Sequence, residues 1–459
     1  TKRSGPGSAF GSRDGAEDTF GMEYLVDGDV RHDNCNAIGN NCAKPPAAAM
    51  NTTQEQQLMQ AHRLLQGNRV DEAKRLLSVL ANQSYAPAMY DLAHVLLIAA
   101  QDTDPDGHAL EWLKQAEALS YAPATYRLAV FSLSDALVEL DWQQLATRLQ
   151  ACCRQGHPDA LCDAALLFAR GDDRQQALAT ALLEAAAMNG SSVAMALLGE
   201  RLGDSNPARA NSIRRLARDA GMPVPVPDPA FGFSRPDPDT LPAQPDTLDF
   251  SGLAAFVAAP ECRMHVAQAN LGSAEAFLSP EECLYIQCLG APHLKPSISV
   301  DPNGQAHRNR IRTSHDFLFT PESETVTLKL LQKRMAAFAG LPLKNAEALV
   351  LLRYAPGQEY LPHRDYLPPS HFTAVKDGGS GQRQRTVISY LNTPDEGGDT
   401  AFPLLGVDMP AERGRIVRFD NIQPDGRLNA DSLHAGTPVK QGLKWICTLW
   451  IREQGHRLL

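Results

Sequence analysis

The chain has 459 residues, 43% of them apolar, and 43 basic against 53 acidic side chains leave a formal net charge of −10. Composition this close to the globular average excludes a disordered or fibrous polymer, and the length allows two or three domains. The acidic balance argues against a surface built to neutralise phosphates, so no nucleic-acid partner is expected.

Residues 1–51 are rich in Gly, Ser, Asp and Asn and lack periodicity, ending in Lys44-Pro45-Pro46-Ala47-Ala48-Ala49 before Met50. They read as a disordered leader or an appended segment, outside the fold. No cationic start precedes an apolar stretch, and no run approaches the length of a membrane span, so neither a secretory signal nor a membrane partner is expected. Nine cysteines, including Cys35 and Cys42 in this segment, form no C-x-x-C pair or disulfide framework and point to a reducing, cytoplasmic setting.

Residues 52–222 are helical and repetitive. Ser84-Tyr85-Ala86-Pro87-Ala88 returns as Ser120-Tyr121-Ala122-Pro123-Ala124, then as Gly156-His157-Pro158-Asp159-Ala160 and Gly190-Ser191-Ser192-Val193-Ala194. Each alanine follows one amphipathic helix, such as Val70–Leu80 with Ala73, Leu76, Leu77 and Leu80 on one face, and opens another. A single helix pair cannot bury its own apolar face, so the units stack into a solenoid. Cys152, Cys153 and Cys162 fall within these helices and read as core residues. The block resembles the Sel1-type branch of tetratricopeptide-like repeats. That resemblance implies a protein-binding surface, with a plain scaffold or dimerisation element as the alternative.

Eight prolines crowd residues 223–247, which read as a semi-rigid extended linker. Residues 248–459 form the second domain. Ser279 before Pro280-Glu281-Glu282 has the capping-box pattern of a helix start, and a further helix is expected over Glu322–Ala339. Strand-like runs follow at Ala348–Tyr354, Arg385–Asn392, Gly414–Phe419 and Lys444–Arg452, separated by Gly- and Pro-rich turns. The expected architecture is an α-helical repeat solenoid followed by an α+β unit, a β-sandwich or jelly roll braced by helices.

The chemistry gathers in this second half. His363 and Asp365, two apart in extended chain, project to one face, and His434 ahead of the last strand is the best third partner. Two histidines and one carboxylate leave open positions on an octahedral metal and suit non-haem Fe(II). Lys444 enters an otherwise apolar run, Trp445-Ile446-Cys447-Thr448-Leu449-Trp450-Ile451, where a lysine is costly unless it meets an anion. Cys283 and Cys288 suit a helix face better than a metal site, and His307, His315 and His371 have no spacing that demands a role.

The order Leu352-Arg353-Tyr354-Ala355-Pro356-Gly357 through His363-Arg364-Asp365, Gly381-Gln382-Arg383, Gly397-Gly398-Asp399-Thr400-Ala401-Phe402-Pro403 and His434-Ala435-Gly436 through Lys444 resembles the prolyl 4-hydroxylase family of Fe(II)/2-oxoglutarate dioxygenases. Asp399 stands where that family usually has Glu. The resemblance implies a double-stranded β-helix fold, with Fe(II) held by His363, Asp365 and His434. It implies 2-oxoglutarate held by Lys444 with Tyr354 and Thr400, O2 as co-reactant, and ascorbate dependence. Arg383, Trp450, Arg312 and Ser314 would face the substrate, and Tyr390 is either a core aromatic or a co-substrate contact. The expected activity is hydroxylation of prolyl residues in a peptide or protein recruited by the repeats, which the Pro-rich linker would hold at limited reach from the iron. A hydroxylase of a free amino acid or small biosynthetic peptide is one alternative. A repeat scaffold with a vestigial oxygenase domain is the other, and the intact His363/Asp365/His434/Lys444 set argues against it.

Overall fold

The computed structural model describes residues 52–99, 107–134, 140–203, 205–227, 248–300, 306–307, 311–367 and 379–456. The leader with Cys35 and Cys42, most of the Pro-rich linker, His371 and the side chain of His307 lie outside the described residues. Among the described residues, no helix is long and apolar enough to cross a membrane.

The first half is a run of helices, α1 (Thr52–Gln66), α2 (Val70–Asn82), α3 (Ala86–Ala99), α4 (His108–Ala118) and α5 (Ala122–Ser132). It continues with α6 (Trp142–Arg154), α7 (Pro158–Phe168), α8 (Asp173–Met188), α9 (Ser192–Arg201) and α10 (Pro207–Asp219). Each packs on the next, as the repeat predicts. Ala88, Ala124, Ala160 and Ala194 are fully buried near the starts of α3, α5, α7 and α9, where any larger side chain would force the helices apart. Cys152, Cys153 and Cys162 are buried and free.

The second half is built on two large antiparallel sheets, beside which the described residues form two two-stranded ladders, Glu396–Gly397 with Val439–Gln441 and Ser299–Val300 with Ala306–His307. The strands of the two sheets are β1 (Arg263–Val266), β2 (Leu271–Ala274), β3 (Lys295–Pro296), β4 (His315–Leu318), β5 (Val350–Tyr354) and β6 (Tyr360–His363). They continue as β7 (Arg383–Tyr390), β8 (Thr400–Phe402), β9 (Val407–Met409), β10 (Ile416–Asp420), β11 (His434–Gly436) and β12 (Lys444–Arg452). An eight-stranded sheet runs β1-β2-β10-β7-β12-β5-β4-β3 and a four-stranded sheet runs β9-β8-β11-β6. Alternation assigns the two faces of the large sheet. On β12, Trp445, Cys447, Leu449 and Ile451 join the core beneath the helices, whereas Ile446 and Trp450 belong to the core between the sheets. Both faces are covered, which is why the strand is apolar almost throughout.

Two helices brace the large sheet, α11 (Pro280–Gly290) and α12 (Val326–Ala339). The capping box at Ser279 forms as expected, its hydroxyl accepting from the Glu282 N–H and the Glu282 carboxylate accepting from the Ser279 N–H. The helix expected from Glu322 begins only at Val326, because Thr325 is extended and accepts the Leu328 N–H as the N-cap. Three expected strands are displaced by about one pleat. They form over Val350–Tyr354, Arg383–Tyr390 and Ile416–Asp420, bounded by pairing with neighbours that local sequence does not reveal.

The solenoid is not a detached arm. One apolar core runs without a break from Ala61 in α1 through α11 and α12 to Ile451 in β12. Asp163 of α7, fully buried, accepts hydrogen bonds from Tyr126 of α5 (2.6 Å), from Tyr285 of α11 (3.0 Å) and from the Thr327 N–H at the start of α12 (3.2 Å). The Val326 N–H donates to the Tyr126 hydroxyl at 3.3 Å. Two of the orphan amide groups at the α12 N-terminus are thus satisfied by the repeat block. Arg127 of α5 donates to the carbonyls of Pro321, Glu322 and Glu324, and Arg170 pairs with Glu282 at 2.6 Å.

Candidate metal centre

The antiparallel pairing of β6 with β11 sets His363 directly opposite His434. Asp365, just past the end of β6, is buried between them, its Oδ1 3.6 Å from His363 Nε2 and its Oδ2 3.7 Å from His434 Nε2. One ligand atom from each of the three residues lies within 4.8 Å of the other two. The tautomers follow from the neighbours. His363 Nδ1–H donates to the Leu361 carbonyl and His434 Nδ1–H to the Ser432 carbonyl, both at 2.9 Å. Both Nε2 lone pairs are therefore available on the Asp365 side, the arrangement a metal requires.

Electrostatics keep the set ready. Burial alone would raise the Asp365 carboxyl, but the imidazoles of His434 and His363 and the Arg383 guanidinium outweigh it and hold it well below the usual carboxylate range. Burial, with His363 beside it, pushes His434 down to about 4, so it is neutral at physiological pH. Two imidazoles and one carboxylate form a mixed nitrogen and oxygen donor set that fits a divalent first-row metal with open positions.

The three residues share one cavity with Lys444, Tyr354 and Thr400. Lys444 opens β12 opposite Tyr354 on β5, and both are buried. No carboxylate pairs with Lys444 among the described residues; its ammonium lies over the Tyr354 and Tyr390 rings at 5.5 and 5.8 Å. Burial pushes Lys444 down to about 8, against the opposing influence of the Asp399 charge. A buried cation without a partner is a receptor for an anion. A Cβ on Gly398, which has φ +82°, would meet the Lys444 stem at 3.3 Å, so the glycine pair before Thr400 leaves room for this side chain. Leu352, Ile388 and Ile446 supply apolar wall.

The residues expected to face a substrate divide. Arg312 and Trp450 line the cavity, and the Trp450 indole N–H is buried with no hydrogen-bond partner among the described residues. Arg383 is engaged by Glu347 (2.7 and 2.6 Å) and lies 4.0 Å over the Trp450 ring. Ser314 is buried and bonded to Ser297 at 2.8 Å. Tyr390 is a fully buried core residue whose hydroxyl donates to Thr400 at 2.7 Å, so it orients a cavity residue from behind. Cys283 and Cys288 lie buried and free on α11.

Sequence reading missed Tyr360, whose ring stacks on His363 at 3.4 Å between centroids, and Glu347, which also pairs with Arg452 at 3.2 Å. It missed Thr386 and Asn421 too. The Thr386 hydroxyl donates to Asp365 Oδ2 at 2.8 Å and accepts from the Asn421 amide at 2.9 Å. Of these, only Tyr360 carries a local signal, three residues before His363 on the same strand.

A family model described as the 2OG-Fe(II) oxygenase superfamily matches residues 349–452, which include all three candidate ligands and Lys444. Prolyl 4-hydroxylase 1 of Arabidopsis thaliana is 35% identical over 193 residues, 39% of this chain and 67% of the relative. A viral collagen prolyl hydroxylase from Paramecium Bursaria Chlorella virus-1, solved with 2OG, is 29% identical and covers 40% of this chain and 95% of its own, with a TM-score of 0.32. A Sel1 repeat protein from Oxalobacter formigenes is 16% identical and covers 39% of this chain and 76% of its own, also with a TM-score of 0.32.

Proposed function

Because the chain belongs to the prolyl 4-hydroxylase family of 2OG-Fe(II) oxygenases, and is therefore a 2-oxoglutarate-dependent dioxygenase, we propose that it hydroxylates a prolyl residue in a peptide or protein substrate. In this reading His363, Asp365 and His434 hold Fe(II). Lys444 pairs with the distal carboxylate of 2-oxoglutarate, and Tyr354 and Thr400 donate or accept hydrogen bonds beside it. Bound there, Fe(II) supplies the redox chemistry that couples decarboxylation of 2-oxoglutarate by O2, giving succinate and CO2, to conversion of a C–H bond into an alcohol. The chain's own contribution is position and dryness. The antiparallel partners β6 and β11 fix the two imidazoles, β12 fixes the cation, and Leu352, Ile388 and Ile446 exclude water between them. Arg312 and Trp450 stand at the cavity as contacts for the substrate chain. Ascorbate serves as the reductant that keeps the centre active. The face of the repeat block turned away from α11 and α12 docks the protein that carries the target proline.

The observation that carries the reading is the convergence on one cavity of three ligand atoms and a buried Lys444 that no carboxylate pairs with among the described residues. The test is succinate release from 2-oxoglutarate across proline-containing peptides, intact proteins and free amino acids, with mass spectrometry of the products. A gain of one oxygen on a peptidyl proline is expected, with His363→Ala abolishing it while leaving the fold intact. Turnover confined to free amino acids would replace this reading with that of a small-molecule hydroxylase.

A further inference from the structure

The two oxygens of Asp365 are not equivalent. Oδ2 accepts the Thr386 hydroxyl proton at 2.8 Å, while Oδ1 faces His363 Nε2, the proposed metal-binding nitrogen, at 3.6 Å. The direction of the bond is fixed, since an ionised carboxylate only accepts and Thr386 must therefore donate. Having spent its proton, the Thr386 oxygen accepts from the Asn421 amide at 2.9 Å. Thr386 and Asn421 are both fully buried, so no water competes for either bond. Their placement comes from the large sheet. Thr386 on β7 pairs with Phe419 on β10, and Asn421, two residues further on, binds the β7 backbone through its N–H to the Gln384 carbonyl at 2.9 Å.

The geometry points to Thr386 and Asn421 as positioning residues that commit Asp365 Oδ2 to the protein and leave Oδ1 alone to the metal. This rests on the metal-centre reading above and goes beyond it. A carboxylate that binds through one oxygen takes one coordination position. With two imidazoles, that leaves three positions on an octahedral ion, enough for the two donor oxygens of a 2-oxo acid and one further small ligand. Freed from Thr386, Asp365 can close on the metal with both oxygens and take a position that the co-substrate needs. The relay acts on co-substrate binding more than on metal affinity, which separates it from a merely supporting role.

The test uses the full chain, Co(II) as probe metal followed by its visible absorption, and 2-oxoglutarate titrated into the Co(II)-loaded protein. Thr386→Val keeps the side-chain shape and removes the donor. It is expected to hold Co(II) nearly as tightly as the parent, with an altered absorption spectrum and roughly tenfold weaker 2-oxoglutarate binding. Thr386→Ser should restore both. Should the valine variant fold poorly, Asn421→Ala keeps the hydroxyl but removes its partner, and should move co-substrate affinity the same way by less. Unchanged spectrum and co-substrate affinity in Thr386→Val would overturn the proposal. So would a loss confined to metal affinity. Co(II) binding by His363→Ala as tight as the parent's would instead overturn the metal-centre reading itself.

Discussion

Lys444 shows how far one residue can be read from its neighbours. In sequence it is a charge at the head of an apolar strand, and the anion it implies follows from the cost of burying an ammonium. In the structure it is 2% exposed, opposite Tyr354, with no carboxylate paired to it among the described residues. Lys444→Ala removes the charge-assisted bond to the proposed co-substrate, at a cost of about 1.5–3 kcal/mol. The KM for 2-oxoglutarate should rise by about one to two decades with metal affinity nearly unchanged, and an unaltered KM would show that the lysine serves another group. The pH dependence has a definite sign. Burial depresses this lysine to about 8, so the ammonium is present below that pH and is lost above it. Co-substrate KM should therefore be flat below about pH 8 and climb above it, a rise that Lys444→Ala abolishes. His363, Asp365, His434 and Lys444 were legible because each sits within a compact local pattern. Thr386, Asn421 and Glu347 were not, because their partners lie 21 to 105 residues away and meet only through strand pairing and side-chain packing.

At the scale of an element, the repeat turns reveal a constraint that the aligned sequence holds without explaining. The residue opening each compared segment has positive φ, at Ser84 (60°), Ser120 (59°), Gly156 (72°) and Gly190 (97°). The left-handed region costs an L-residue roughly 1–2 kcal/mol and glycine almost nothing, so two repeats carry strain that the other two avoid. Glycine's greater freedom in the unfolded chain offsets part of that difference. Ser120→Gly should stabilise by about 0.5–1 kcal/mol, and Gly190→Ala should destabilise by about 1 kcal/mol. A Cβ at Gly190 meets nothing within 4 Å, so its cost is conformational and free of clash. Thermal or denaturant unfolding of the two variants checks both signs, and shifts in the same direction would refute the account. Strand faces were equally legible: alternation along Lys444–Arg452 separates the cavity from the helical layer. Strand ends were not, because pairing partners set them.

At the scale of the whole molecule, the boundary drawn at the Pro-rich linker separates segments of sequence but not separate bodies. The α12 N-terminus illustrates why. Its cap combines Thr325 from its own chain segment with Tyr126 and Asp163 from the repeats, and Thr325 also bonds the Tyr285 hydroxyl at 2.6 Å. No local pattern announces a cap supplied from more than 160 residues away. Cutting the chain after residue 222 strips this cap, the Arg127 bonds to Pro321, Glu322 and Glu324, and the apolar cover of α11 and α12. The second half alone should then aggregate or unfold, with no turnover even on a short peptide. A soluble, active 248–459 fragment would show that the repeats are dispensable for folding. The full chain offers a finer test. Asp163→Ala leaves two tyrosine hydroxyls and an amide without their acceptor in a dry interface, a loss of about 2–5 kcal/mol. The acidic limb of the stability curve carries the same signature. Burial first, and then the Asp159 charge, raise the Asp163 carboxyl to about 6 against the hydrogen bonds from Tyr126, Thr327 and Tyr285. The folded state therefore holds a proton that the unfolded chain has released, and stability from this group is greatest at acid pH. It is lost as pH rises from about 4 to about 6 and is flat beyond. Asp163→Asn, which cannot titrate, should remove that descending segment from a urea-unfolding series across pH 4–7, and an unchanged profile would mean that the junction is not set by this carboxylate.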